Sequence, residues 1–458
     1  EIASCLVGSE MCIRDRLSMN ILSVTTQKPH STGSGTYLSE VVRALDRQGH
    51  RQAVVAGIYH SDIVNFPEGV TFHPVYYTAP GESPLPGDLD FPVLGMSDRM
   101  PYPSTRYSRL TREQLGALEK AFISAVGEAI DRLRPDIILC HHLYLLTALL
   151  RKAFPEQRIY GICHGSDLRQ MQNLCSGEAG YGREPFNAKD IQENIRGLNR
   201  IFALHQAQKK TIMDCFRLLA EQVSVIGTGY NDKIFFPREA DASAAEGPHR
   251  FIYAGKICRE KGIPELLDAL EQLRKETDVP FELHLAGGCT DSGLWTRLNP
   301  DRNQPPKAGA ITACSFPIQY HGLLSQEVLA NLYRDCHTFV LPSYFEGLPL
   351  VLIEAMACGL NTLCNDLPGV REWLRAEIPE NTTRFIPMPP LITSDRPDPD
   401  ALPQYVFTLK TALKEILEES QTSGQTRRIP DTSGASWDAV AKRIVFKQSS
   451  YSAETGMI

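Results

Sequence analysis

The chain has 458 residues, with 47 Lys and Arg against 54 Asp and Glu, a net charge of −7 and 42% hydrophobic residues. At ~150 residues per domain this length allows two or three domains. The charge balance excludes a general nucleic-acid binder, whose phosphate contacts need a basic surface, and no apolar run approaches the ~20 residues of a bilayer-crossing helix.

Residues 1–18 read EIASCLVGSEMCIRDRLS. They lack the ordered layout of a signal peptide and are read as a non-native or disordered leader, with natural initiation expected at Met19. From there short apolar runs alternate with amphipathic segments. Ile21–Val24 is a strand, Gly33-Ser34-Gly35 a glycine-rich loop, Tyr37–Gln48 a helix and Ala53–Ala56 a strand. A helix over Arg112–Leu133 precedes strands at Asp136–Cys140, Arg158–Cys163, Arg200–Leu204 and Gln222–Ile226. Apolar runs without alternation suit strands covered on both faces, as in parallel sheets. Residues 236–248 read as a linker. The alternation then restarts, with strands at Phe251–Ala254, Phe281–Ala286, Thr338–Leu341 and Asn361–Cys364 and helices at Ile263–Glu276, Ser325–Asp335 and Leu350–Cys358. After a proline-rich connection at Pro387–Pro403 come two helices, Gln404–Ser420 and Trp437–Gln448. The expectation is a first doubly wound α/β domain over 19–228, a second over 229–400, and helices at 401–458 that cross back to the first. A cleft between two such domains would face the carboxyl ends of both sheets, where ligands bind.

The twelve cysteines include no CxxC pair and sit mostly in apolar stretches, as small buried hydrophobes of a reducing cytoplasm do. No Cys and His cluster has ligand spacing. His141 and His142 are adjacent, and adjacent strand residues point to opposite faces, so no metal site is expected.

The most informative segment is Pro342-Ser343-Tyr344-Phe345-Glu346-Gly347-Leu348-Pro349-Leu350, continuing to Glu354 and Gly359. A strand ends, a Gly/Pro turn follows and a helix begins, so free N–H groups and the positive dipole end offer a phosphate site. Glu346 and Glu354 lie roughly 12 Å apart along the helix direction at ~1.5 Å per residue. That is about the span from a sugar ring to a ribose across a pyrophosphate, and each carboxylate can accept two hydroxyls. The plainer alternative makes Glu346 a helix cap and Glu354 a surface residue, although the neighbours of Glu354 are apolar.

This segment resembles the Glu-x7-Glu motif of the retaining glycosyltransferases of family 4 (glycosyl transferases group 1), which have the GT-B fold: two Rossmann-like domains facing each other across a cleft. The resemblance covers nearly everything after Met19. Gly255-Lys256 followed by Lys261-Gly262 is similar to the family's Gly-Arg…Lys-Gly segment, and implies that Lys256 and Lys261 bind a donor diphosphate. Lysine at the first position keeps the charge without the bidentate geometry of arginine. His164-Gly165-Ser166-Asp167-Leu168 is similar to the family's His-Gly-x-Asp-Leu segment, which implies that His164 reaches the donor sugar. Asp167 orients a neighbour or caps the next helix. Gly33 and Gly35 match the glycine-rich loop of the family, and Gly347, Leu348, Pro349 and Leu350 its phosphate turn. Gly369 and Glu372 retain part of a Gly-Gly-x-x-Glu-like turn, and Tyr320-His321-Gly322 resembles the turn beside the nucleobase. His141 and His142 line the acceptor side or pack in the core. The basic run Arg99, Arg106, Arg109 and Arg112, interleaved with Tyr102 and Tyr107, meets a phosphorylated acceptor or an anionic membrane surface, or is simply solvated.

The resemblance implies a retaining transfer from a UDP- or GDP-sugar to a glycan, lipid or small-molecule hydroxyl, with no cofactor and no metal. Catalysis would rest on His164, Glu346 and Lys261, with front-face attack and the leaving phosphate taking the proton. The expected setting is the cytoplasm, with peripheral contact at the inner membrane face. Two readings stay beside it: a sugar-nucleotide epimerase of the same fold and a non-catalytic sugar-nucleotide-binding protein. A nicotinamide dehydrogenase is disfavoured, because Leu38 stands where the third glycine of GxGxxG belongs.

Overall fold

The computed structural model describes residues 18–97, 100–176, 185–238, 247–289, 291–299, 308–311, 313–393, 395–422 and 429–446. The leader up to residue 17, Arg99 and linker residues 239–246 lie outside the described residues. The chain divides into two compact units, one running to Thr228 and resuming at Trp437, the other spanning Gly229–Ser436.

In the first unit the apolar runs become β1 (Asn20–Thr25), β2 (Arg51–Ile58), β3 (Val70–Tyr76), β4 (Ile137–His141), β5 (Ile159–Ile162), β6 (Arg200–Ala203) and β7 (Val223–Val225). They form one parallel sheet in the order β3-β2-β1-β4-β5-β6-β7. Ile21 pairs with Gln52 on one side and Ile137 on the other. β4 and β5 are buried along their whole length, as strands covered by helices on both faces must be. Val70–Tyr76 escapes a pattern reading because Pro74 interrupts it, and it sits at the sheet edge, where a missing ladder donor is tolerated. Leu38 and Val42 of the first helix pack on Val54 and Ala56 of β2. The long helix Arg112–Leu133 starts with a capping box in which Thr111 and Gln114 satisfy each other's backbone N–H.

Gly33 and Gly35 correct the loop assignment. The helix begins at Gly33, capped by the Thr32 hydroxyl, which accepts from Gly35 N at 3.1 Å. The cap offsets the poor helix propensity of two glycines in the first turn. Gly35 is needed for space: a Cβ there would lie 2.7 Å from the Lys28 carbonyl oxygen, whereas one at Gly33 would meet nothing within 4 Å.

The second unit holds β8 (His249–Ala254), β9 (Phe281–Ala286), β10 (Gly309–Ile311), β11 (Ile318–Gly322), β12 (Thr338–Leu341), β13 (Asn361–Asn365) and β14 (Arg384–Ile386). Their order is β10-β11-β9-β8-β12-β13-β14, and every pair is parallel except the edge pair β10/β11. The stretch read as crossing back, 401–458, splits between the units. Helix Leu402–Thr422 stays with the second: Lys410 pairs with Glu276 at 2.5 Å, Tyr405 donates to Asn365, and Arg384 of β14 reaches Glu415. Helix Trp437–Phe446 joins the first, through Arg47–Asp438 at 2.6 Å and Arg443 donating to the Ile226 carbonyl. The proline-rich connection contains a two-stranded pair, Leu391–Thr393 with Arg396–Pro397.

Candidate functional site: an imidazole cluster and a lysine–glutamate pair

In the first unit the chain turns after β4 and β5 at neighbouring points, with His141 ending β4 and His142 and His164 in the turns. His141 Nδ1 lies 3.0 Å from His164 Nε2, with the rings 12° from parallel. The His142 ring lies 4.9 Å from that of His164, centroid to centroid, and Tyr37 meets His164 edge-on at 5.1 Å. His141 and His142 are each only 3% exposed, while His164 keeps partial solvent access. Burial holds His141 down to about 3, and His164 well below the ordinary imidazole value with a further push from His142 and His141. Burial likewise lowers His142, opposed by the charge of Asp167. All three rings are therefore neutral at pH 7. His142 holds φ +78°, a strained conformation for a side-chain-bearing residue.

Asp167 is fully buried and ties the two turns together. Its carboxylate accepts from Leu143 N at 2.7 Å, after β4, and from His164 N at 3.2 Å, after β5. It lies in the first turn of helix Ser166–Ser176, where negative charge is favoured. Of the two roles read for Asp167, the geometry displays the orienting one. Tyr37 was invisible as a site residue in the sequence. Its hydroxyl donates to Gly227 O at 2.9 Å and its ring contacts Trp437 from the far end of the chain. No local signal links the two.

In the second unit Gly255 follows β8, donating its N–H to Ala286 of β9 at 2.9 Å. Exposed Lys256 comes next, its carbonyl accepting from Tyr253 OH at 2.8 Å. Gly262 then adopts φ +67°, capping helix Ile263–Arg274, and a Cβ there would lie 2.2 Å from Pro342 O. Only glycine lets this turn press on the turn after β12. The contact brings Lys261 beside Glu346: Nζ lies 2.6 Å from Glu346 Oε1 and 3.1 Å from Phe345 O. Both side chains are 22% exposed.

Helix Leu350–Ala357 starts at Pro349 with no side chain capping its N-terminus, so its leading dipole end is not neutralised by a local carboxylate. Gly347 and Leu348 complete the turn from Glu346. Glu354 lies inside this helix at 6% exposure, which excludes the surface-residue alternative. Sequence reasoning missed what holds the turn. Buried Asn365, ending β13, donates to Pro342 O at 2.9 Å and Ser343 O at 3.0 Å, and accepts from Tyr405 OH at 2.8 Å. Beyond it Asp366 is engaged bidentately by Arg371, and Gly369 precedes helix Val370–Glu377 with φ +79°.

Two domain models match this chain: "Glycosyltransferase Family 4" over residues 31–233 and "Glycosyl transferases group 1" over 236–386. The chain carries the two domains of a glycosyltransferase. The fold is GT-B. Mannosylfructose-phosphate synthase from Agrobacterium fabrum is 28% identical over 207 residues, 43% of this chain and 44% of that protein. D-inositol 3-phosphate glycosyltransferase from Streptomyces bingchenggensis is 28% identical over 281 residues, 58% of this chain and 59% of that one. The chain thus spans about half the length of these curated relatives. Sucrose-phosphate synthase from Thermosynechococcus elongatus superposes with a TM-score of 0.63 at 18% identity, covering 95% of this chain and all of that one.

Other expected features of these glycosyltransferase domains sit as follows. In the basic run Tyr107 is buried, donating to or accepting from Thr26 at 2.7 Å, and Tyr102 lies 4.9 Å beneath the Lys28 ammonium. The aromatics therefore serve the interior and leave Arg109 and Arg112 as exposed charges. His321, near the end of β11, is 2.9 Å from His284, which in turn meets Glu282. The ten described cysteines are free thiols. Among the described residues no three His, Cys, Asp or Glu side chains converge as metal ligands, and no helix is long and apolar enough to cross a membrane.

Proposed function

We propose that the protein moves a sugar from a nucleoside-diphosphate-sugar donor to a hydroxyl acceptor, with retention at the anomeric carbon. The observation that carries this reading is the Lys261–Glu346 pair at 2.6 Å, beside an uncapped helix start. Before a donor arrives, Glu346 neutralises Lys261 and keeps its ammonium at the turn, so the cation is positioned without an uncompensated charge. A donor diphosphate would take over Lys261, with Lys256 and the N–H groups from Leu350 onward sharing its charge. Glu346, released, would accept hydroxyls of the donor sugar, and Glu354 those of the ribose. His164, neutral by burial, would hydrogen-bond the sugar near its reacting carbon.

Charge on the departing diphosphate is then met by fixed protein groups, the largest source of rate in such transfers. No resident metal enters the scheme. The sequence holds two Asp-x-Asp triplets, Asp88/Asp90 and Asp398/Asp400; Asp88 pairs with His60 and accepts from Leu85 N, and Asp398 accepts from Asp400 N. Front-face attack, with the leaving phosphate taking the acceptor proton, needs no carboxylate nucleophile.

The test is thermal unfolding of the full chain with UDP, GDP, ADP and NAD, each with and without EDTA. A ligand at ~100 times its Kd adds about 2.7 kcal/mol of stability. One nucleoside diphosphate should stabilise the protein regardless of EDTA, and Lys261→Ala should abolish the effect. NMR of product made from the matching donor should display the donor's anomeric configuration. Stabilisation by NAD alone, or an inverted product, overturns the reading. D-inositol 3-phosphate and a fructose phosphate are the first acceptors to try, following the names of the two relatives.

A further inference from the structure

The contact between His141 and His164 has only two neutral arrangements. With 3.0 Å between His141 Nδ1 and His164 Nε2, one proton lies between them, so one ring donates and the other accepts. If His164 carries it on Nε2, the proton of His141 must sit on its own Nε2. That atom is buried and meets no partner among the described residues, which leaves an orphaned N–H. If His141 carries it on Nδ1, its Nε2 is a bare lone pair instead, and His164 keeps its own proton on Nδ1. Buried orphan donors are rarer in native proteins than under-satisfied acceptors.

Among the described residues the surroundings supply no competing partner. Tyr37, edge-on to His164, spends its hydroxyl on Gly227 O. The Asp167 carboxylate accepts main-chain N–H groups from Leu143, His164 and Leu168 and the Cys163 thiol. Both ring nitrogens of His142 lack partners among the described residues. We infer that His141 is a positioning residue: it donates from Nδ1 to His164 Nε2 and fixes His164 as the Nδ1-protonated tautomer. An isolated imidazole prefers the proton on Nε2, so the neighbour imposes the less common form. His164 is then a neutral donor, aimed from Nδ1 at an oxygen of the substrate, and it takes no proton during the reaction. This role deepens, and rests on, the reading of His164 as the residue that meets the donor sugar.

The experiment is long-range ¹H–¹⁵N spectroscopy of the full chain labelled at histidine, with His164 assigned by comparison with His164→Asn. Wild-type protein should display the Nδ1-protonated pattern at His164. His141→Leu should return His164 to the Nε2-protonated pattern and lower kcat by about 10²-fold, the cost of one misplaced donor, with donor KM little changed. His141→Asn, whose amide nitrogen stands near the position of Nδ1, should restore both tautomer and kcat. An Nε2-protonated His164 in the wild type, or an Asn variant no better than Leu, overturns the inference. The spectrum needs no turnover, so the tautomer is decided even if no sugar transfer is observed. An Nδ1-protonated ring in a protein whose His164→Asn variant retains full kcat would keep the tautomer and overturn the positioning role.

Discussion

The two units hold their polar groups by opposite means. In the first, three imidazoles are buried and kept neutral, and the one fixed charge beneath them, Asp167, is saturated by main-chain N–H groups. In the second, a full ammonium and a full carboxylate stand together in partial contact with water. Burial of an unpaired charge is prohibitive, so a group meant to stay charged needs a partner or solvent, and one meant to stay neutral can be packed away. The pairing suits a site that must receive a diphosphate, and the cluster suits one that must only hydrogen-bond.

The sharpest way to break this contrast is to remove one member from each side. Lys261→Ala should lower kcat/KM by about 10³-fold and abolish nucleotide-induced stabilisation. His164→Asn should lower it by about 10²-fold while leaving that stabilisation intact. Loss of nucleotide binding in the His164 variant would erase the distinction. Within the second unit, Glu354→Gln should weaken nucleotide affinity by about tenfold, the worth of a charged hydrogen bond, whereas Glu346→Gln should act on kcat. Titration calorimetry beside steady-state kinetics separates the two.

A smaller effect falls on the support of the charged side. Asn365→Leu leaves the Pro342 and Ser343 carbonyls without its amide and should cost about 1–3 kcal/mol, read from urea unfolding. An effect of a different kind is in pH. His30 is lowered to about 4, and His141 and His249 to about 3, each chiefly by burial. The unfolded chain, with imidazoles near ~6.5, therefore binds more protons than the folded one below that pH. The contribution is fully present above ~6.5 and is lost as pH falls toward 3. Tm should be flat from pH 7 to 8 and decline from about 6.5 downward, before carboxylates begin to titrate. A Tm constant down to pH 5 would mean that the imidazoles are hydrated after all.

Much of the fold was legible, because unbroken apolar runs such as Ile137–Cys140 have few homes other than a covered parallel sheet. What hid was set by position in the sheet or by capping: Pro74 is harmless only at an edge, and Gly33 and Gly35 are helical only because Thr32 caps them. The residue types of the candidate site were legible as motifs, but not their pairings. Lys261 and Glu346 are 85 residues apart in sequence, and nothing local says that they touch. Asn365 and Tyr405 were missed because their work is done on main-chain oxygens of another segment, which leaves no mark in their own neighbourhood.

The chain leaves the first unit at Thr228 and returns at Trp437, so one unit is an insertion in the other. During synthesis the ribosome therefore emits an incomplete first unit, then the whole of the second, and only afterwards the helix whose Trp437 ring lies against Tyr37. The first unit waits for this helix across the whole of Gly229–Ser436, a high-contact-order closure that is intrinsically late and slow. Tyr37 also flanks His164, so helix Trp437–Phe446 completes the wall around the imidazoles. The nascent protein would thus acquire its lysine–glutamate pair before its histidine cluster is closed, which orders the maturation of the two units in time.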